Sequence, residues 1–130
     1  MTIHKIAGLL FRDKKVLMVK PNDEEYLLTP GGRIEGSETP EQTLRRELME
    51  ELKIEPTNMK FFEKFSGKTP DQRDIFLETF IVQTDQEPQP DSEIESLHWV
   101  NSKINNSGFE LTSFFERNVM PVLIQRGFIE

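Results

Sequence analysis

Residues 32–54 read GRIEGSETPEQTLRRELMEELKI, and this stretch decides how the chain is expected to fold. Its second half predicts a helix from Thr39 to Leu52. Thr39 suits the N-cap, Pro40 suits the first helical position, and Gln42 completes a capping box with Thr39. The stretch therefore predicts a glycine-containing loop that runs directly into one well-bounded helix.

The predicted helix carries three glutamates on one face. Glu47, Glu50 and Glu51 stand at positions i, i+3 and i+4, which are neighbours on a helix surface. Three like charges this close repel, but they become favourable when a hard cation such as Mg²⁺ lies among them. A solvated charged face is the ordinary alternative for a helix rich in glutamate. The carboxylates border an apolar stripe that repeats at every fourth residue, namely Leu44, Leu48 and Leu52.

The spacing around this helix decides against the ordinary alternative. The stretch resembles the Nudix box, whose pattern is G-x5-E-x7-R-E-U-x-E-E-x-G-U, where U is an aliphatic residue. Gly32, Glu38 and Arg46 begin its three fixed blocks, and every fixed position agrees except Lys53, where the pattern has Gly. Lys53 must either accept some strain in a left-handed conformation or end the helix differently.

The resemblance implies an α/β protein with the Nudix fold, an α/β/α sandwich around a mixed β-sheet with a catalytic loop–helix–loop. It implies one Nudix domain over residues 1–130, with the Nudix box at 32–54. The order of strands, one helix, more strands and one helix also favours a mixed sheet between helices. The first two strands suggest a hairpin, because a short polar turn separates them. The predicted strands are Ile3–Phe11, Val16–Lys20, Tyr26–Thr29, Met59–Phe65, Ile75–Thr84 and Ile94–Val100.

A second helix is predicted near the end of the sequence, from Ser113 to Arg126. Ser113 and Glu116 would form its capping box, and Gly127 would end it. Pro121 lies inside this helix and should kink or divide it.

The resemblance also implies a metal site. Carried over position by position, Glu47, Glu50 and Glu51 bind Mg²⁺, with Mn²⁺ as the alternative ion, and the carbonyl of Gly31 adds a ligand. Glu47 and Glu50 lie nearest the chemistry, and the choice of general base between them stays open.

Two further features complete the implied site. Arg46 and Glu38 belong to the catalytic set because they would pair and hold the loop and the helix in register. MutT-type members of the family have a further metal-binding Glu a few residues before a Trp. Glu93 stands at that distance before Trp99, and Glu95 is the competing candidate.

The resemblance to the MutT type, which removes oxidised guanine nucleotides, extends beyond the box and suggests substrate-binding residues. Asn118 lies near the place where that type reads the base, and a buried Asn there could match an oxidised guanine edge, whereas an exposed helical Asn with no such role is the ordinary and favoured alternative. Tyr26, Phe76 and Phe80 could stack on a base, although aromatic residues of strands more often belong to the core. Arg73 is a further candidate for substrate binding. The short matches outside the box include Phe62–Lys64, Pro70–Asp71, Glu87–Pro88 and Pro121–Val122.

Composition limits the functions that this chain can have. Its net charge of −7 argues against a nucleic-acid polymer as partner, and the absence of cysteine excludes disulfides and thiolate metal sites. No apolar run is long enough to span a membrane, and no signal-peptide pattern is present. We expect a cytoplasmic protein, monomeric or homodimeric, that acts on a small nucleotide. The two histidines, His4 and His98, lie outside the motif.

The implied activity is Mg²⁺-dependent hydrolysis of a nucleoside diphosphate linked to another group. The favoured substrate is a nucleoside or deoxynucleoside triphosphate, cut to the monophosphate and pyrophosphate. An ADP-ribose or nucleoside diphosphate sugar pyrophosphatase is the first alternative. A non-catalytic nucleotide-sensing Nudix domain is a remote alternative, since this chain keeps the carboxylates of the box.

Overall fold

The computed structural model describes residues 2–130. Its nine strands and its helical segments follow the predicted order of elements. In chain order they are β1 (Thr2–Leu9), β2 (Phe11–Arg12), β3 (Lys15–Pro21), β4 (Tyr26–Leu27), β5 (Gly31–Gly32), α1 (Pro40–Leu52), β6 (Asn58–Lys68), β7 (Asp74–Gln83), β8 (Ile94–Val100), β9 (Glu110–Leu111), a π-helical segment (Phe115–Val119) and α2 (Met120–Gln125).

The larger strands form two sheets. The first sheet has the order β5-β1-β7-β6, and it is mixed because β1 runs parallel to β7 while the outer pairs are antiparallel. The second sheet, β2-β3-β8, is antiparallel. The mixed sheet is as predicted, whereas the separate antiparallel sheet was not foreseen.

Helical segments cover both sides of each sheet. Successive residues of a strand point to opposite faces, so neighbouring residues enter different cores. Ile6 and Leu17 pack with Leu44 and Leu48 of α1. Ala7 belongs to the other core, which contains the helical segments near the C-terminus. The structure therefore confirms the α/β sandwich.

The predicted hairpin is only partly correct. β3 pairs with the two residues of β2, whereas β1 pairs with β5 and β7 in the other sheet. The chain changes sheets at Leu10. The turn itself is a two-residue connection in which Asp13 and Lys14 both have positive φ, which suits the twist of a tight hairpin.

Helix α1 begins and ends as its sequence suggests. Thr39 is the N-cap, and its reciprocal hydrogen bonds with Gln42 form the capping box. Lys53 ends the helix in the left-handed conformation, with φ 56° and ψ 37°. Its N–H donates to the carbonyls of Leu48 and Met49. Lys53 thus accepts the conformation that the family pattern assigns to glycine.

The predicted capping box of the second helix is wrong. Thr112 provides the cap, because its Oγ1 accepts a hydrogen bond of 3.1 Å from the N–H of Phe115. The helix is not simply kinked at Pro121. A wide π turn precedes it, in which the N–H of Met120 donates to the carbonyl of Phe115. Gly127, with φ 81°, ends the helix as predicted. Among residues 2–130, every helix is too short or too polar to cross a bilayer.

Candidate active site

Two glycines bring the backbone of β5 against β1 and α1. Gly31 has φ +140°, and a Cβ there would lie 1.9 Å from the carbonyl oxygen of Ile6. A Cβ on Gly32 would lie 2.6 Å from the carboxyl carbon of Glu47. Any larger residue would displace the strand or the carboxylate. The same approach lets the N–H of Gly31 donate to Glu51 Oε1 at 2.8 Å.

Arg46 connects the loop before the helix to the carboxylate face. Its Nε donates to Glu38 Oε2 at 2.7 Å and its Nη2 donates to Glu38 Oε1 at 3.0 Å. Its Nη1 donates to Glu47 Oε1 at 2.7 Å. The hydrogen bonds from Arg46 are the main cause that lowers the pKa of Glu38 to about 2. The structure thus shows the expected pairing of Arg46 with Glu38, in the two-pronged geometry that arginine favours.

Two of the helix carboxylates, Glu47 and Glu51, ionise less readily than a free glutamate. Burial raises the pKa of Glu51 to about 7, against the opposing effects of Lys5 and the Gly31 N–H. Burial also raises the pKa of Glu47, although its hydrogen bond with Arg46 acts in the other direction. Glu50 is more exposed, and one of its oxygens lies 3.5 Å from Arg46 Nη1. Partly buried carboxylates that repel one another gain stability from a cation placed between them.

The donor chemistry of this face fits a hard divalent cation. Glu47 Oε1 and Glu51 Oε1 accept hydrogen bonds, whereas their second oxygens accept none from residues 2–130. Carboxylate and carbonyl oxygens are the ligands that Mg²⁺ prefers. In the described part of the chain, however, no three acidic or histidine side chains already converge as a metal cage. Glu47, Glu50 and Glu51 are the residues that would hold such an ion, and their side chains would first have to turn toward it.

The two candidates for a further ligand occupy different surroundings. The loop before β8 packs against the end of α1, where the N–H of Asp91 donates to the carbonyl of Glu51 at 3.0 Å. Glu93 follows in this loop and is exposed. Glu95 is directed toward Lys20, whose Nζ lies 3.7 Å from it. Glu93 therefore belongs to a segment that contacts the C-terminal end of α1, and its role as a ligand stays a prediction.

Two of the predicted substrate-binding residues share one groove. Tyr26 and Asn118 both line it, together with Thr69 and Pro70 of the turn between β6 and β7. Asn118 is exposed, in agreement with the favoured alternative for this position, and its role in reading the base stays a prediction. Water can reach its amide in this position.

The other predicted substrate-binding residues lie outside that groove. Phe76 alternates with residues that face the C-terminal helix, and its ring packs edge-on against His4 at 5.1 Å between centroids. Arg73 is exposed and pairs with Asp71 at 2.9 Å. Phe80 is buried in the core beneath α1. The structure does not bring these residues together with Tyr26 and Asn118.

Lys5 is a pocket-lining residue that was not predicted from the sequence. It is partly buried in β1, and its Nζ donates to the carbonyl of Thr29 at 2.7 Å. It lines a second, largely apolar pocket between the first sheet and the C-terminal helix. A signal was present, because Lys5 has the same strand phase as the core residues Ala7 and Leu9.

The chain belongs to the Nudix family, since the NUDIX domain pattern matches residues 2–111. Within the family, 54 residues are 48% identical to the 8-oxo-dGTP diphosphatase of Escherichia coli (strain K12). That match covers 42% of this chain and 41% of the relative, so it spans less than half of either.

Solved structures agree on the fold. A MutT structure from work on the Aliivibrio salmonicida and Vibrio cholerae proteins has a TM-score of 0.61 and 28% identity, over 77% of this chain and 80% of that chain. The Nudix domain of Shewanella oneidensis NrtR, complexed with ADP ribose, has a TM-score of 0.71, over 97% of this chain and 86% of that chain. At 19% identity, the second likeness concerns the fold alone.

Proposed function

We propose that this chain is a Mg²⁺-dependent pyrophosphohydrolase that cuts a nucleoside triphosphate to the monophosphate and pyrophosphate. The observation that carries the proposal is the hydrogen-bond network that joins Glu38, Arg46 and Glu47. This network holds the carboxylate face close to Gly31 and Gly32. The partial-length similarity to 8-oxo-dGTP diphosphatases supports a purine deoxynucleotide as substrate.

In the proposed reaction, water attacks a phosphorus of the phosphate chain and one P–O bond of the anhydride breaks. Bound Mg²⁺ would neutralise the phosphates and lower the pKa of a bound water. Glu47 is the more firmly oriented of the two candidate proton acceptors, because Arg46 Nη1 donates a hydrogen bond to one of its oxygens. Glu50 is 52% exposed at its side chain and less firmly held.

Arg46 acts in this proposal as a positioning residue. Its guanidinium fixes the direction of Glu47 while it binds Glu38 on the preceding loop. Strand β5, which comes just before this loop, contributes the Gly31 N–H that donates to Glu51. Two carboxylates of the face are therefore oriented by bonds that do not depend on the substrate.

A substrate panel tests the proposal directly. The chain is incubated with Mg²⁺ and, separately, dGTP, 8-oxo-dGTP, dATP, dTTP, ADP-ribose and a dinucleoside polyphosphate, and the products are resolved by ion-exchange chromatography. We expect monophosphate and pyrophosphate from purine triphosphates, at a higher kcat/KM than for ADP-ribose. A marked preference for ADP-ribose, or release of single phosphate groups, would contradict the proposed substrate.

A further inference from the structure

The apolar pocket beneath the C-terminal helix contains one partly buried charge. Its walls come from the first sheet and from the C-terminal helical segments, since Ile75 and Leu77 of β7 face Phe114 and Phe115 across it. Lys5 reaches this pocket from β1, directly beside Leu77 in the parallel register. Flat apolar walls of this kind suit an aromatic ring, whose faces need no hydrogen bonds.

The ammonium group of Lys5 has unused donor capacity. It has three N–H groups, and its one hydrogen-bond acceptor within residues 2–130 is the carbonyl of Thr29. Burial lowers the pKa of Lys5, which shows that the surroundings stabilise its charge less well than water does. The acidic residues that favour the charge, Glu51 and Glu47, act on it without a direct bond. A ligand oxygen in the pocket would supply the missing acceptor.

We infer that Lys5 is a specificity residue that donates a hydrogen bond to a ring carbonyl oxygen of the substrate's nucleobase. This inference rests on the proposed function and deepens it. A purine with an oxygen at its six-position presents an acceptor to the ammonium group, as guanine does to lysine in nucleic-acid recognition. Adenine presents an amino group there, so a donor would face a donor and the pocket would bind it less well.

The sharpest test compares binding of dIMP and dAMP, whose bases differ in carrying an oxygen or an amino group at the six-position. Both are monophosphates and hold no anhydride bond, so calorimetry with Mg²⁺ present measures binding without turnover. We expect the unmodified chain to bind dIMP at least about tenfold more tightly, the scale of one specific base contact. Lys5→Met should reduce this ratio to near one.

Two further variants separate the inference from general effects of charge or folding. Lys68 lines the same pocket, but its ammonium is already paired with Asp74 at 2.6 Å. Lys68→Met should therefore keep the preference for dIMP. Lys5→Gln keeps a donor for the Thr29 carbonyl and can either donate to or accept from the base, so it should also bring the ratio near one. Thermal unfolding of each variant checks that the fold is kept.

Several results would overturn the inference. Equal weakening of dIMP and dAMP by Lys5→Met would identify Lys5 as a phosphate contact. An unchanged ratio, or no binding of either nucleotide by the unmodified chain, would exclude Lys5 as a base contact. Failure of the proposed function would look different. Nucleoside triphosphates would then not be cut, but the chain would still prefer dIMP and Lys5→Met would still remove that preference.

Discussion

Replacing Glu51 by Gln should stabilise the metal-free protein and, at the same time, abolish its activity. The pKa of Glu51 is raised from 4.5 to about 7, chiefly by burial, so the folded chain binds a proton more tightly than the unfolded chain. The unfolding free energy of the metal-free protein should therefore fall as pH rises from 4.5 to 7, and the loss is complete above 7. At 1.36 kcal/mol for each pH unit, it amounts to about 3 kcal/mol at most.

Glutamine removes the charge and keeps an oxygen that can accept the Gly31 N–H. Its amide N–H groups still need partners, so we expect a gain of about 2 kcal/mol for Glu51→Gln at pH 8. The assay is urea unfolding at pH 5 and pH 8 with a chelator. The chain with Glu51 should lose stability between the two pH values more steeply than the variant. Glu41→Gln, an exposed change in the first turn of α1, is the matched control.

Adding Mg²⁺ at pH 8 should make the unmodified chain more stable than the Glu51→Gln variant. The unmodified chain should gain stability from the ion, because a ligand that binds only the folded state stabilises that state. The Glu51→Gln variant should gain little. Turnover of the variant should fall by at least about a hundredfold, the scale of losing a key electrostatic group. The reasoning is refuted if Glu51→Gln is less stable than the unmodified chain at pH 8 without metal, or if it stays active at saturating Mg²⁺.

Three other changes test separate parts of the structure. Arg46→Lys keeps the charge but loses the two-pronged contact with Glu38, so kcat should fall at least about tenfold, while Arg45→Lys on the exposed side should have little effect in the same assay. Lys53→Gly should raise the unfolding free energy by up to about 1 kcal/mol in urea, because glycine takes the left-handed conformation without strain, and Lys53→Ala should give no such gain. Asn118→Ala should lower kcat/KM for 8-oxo-dGTP by no more than about fivefold, since water can replace the bond of an exposed amide, and should lower it less for dTTP. Equal falls for both nucleotides would show that Asn118 does not contact the base.

The features that the sequence predicted well depend on neighbours in the chain. The capping box of Thr39 and Gln42, the end of the helix and the shared face of Glu47, Glu50 and Glu51 all follow from spacing within a few turns. The pairing of Arg46 with Glu38 was expected from the resemblance to the Nudix box, and it too spans only eight residues. Such contacts require no knowledge of the tertiary fold beyond the helix itself.

The features that were missed depend on distant parts of the chain. The apolar run from Ile3 to Phe11 gives no sign that the strand leaves one sheet at Leu10, because the partners that separate the sheets, β7 and β8, come some seventy residues or more later. Thr112 and Ser113 both have a hydroxyl that can cap a helix, and the structure selects Thr112.

Strand β1 joins the two halves of the proposed site, and its register is fixed from both sides. Ile6 lies opposite Gly32, beneath Glu47, and Lys5 lies beside Leu77 in the apolar pocket. A slip of one residue would exchange the two faces, which would bury the Lys5 ammonium under α1 and place Ile6 in the pocket. At the observed spacing of these strands, the Ile6 carbonyl leaves no room for a side chain at position 31, so only glycine fits there. The contact between β5 and β1 orients the carboxylates that, in the proposed binding mode, face the phosphates. The same contact sets the distance from those carboxylates to Lys5, the residue proposed to select the base.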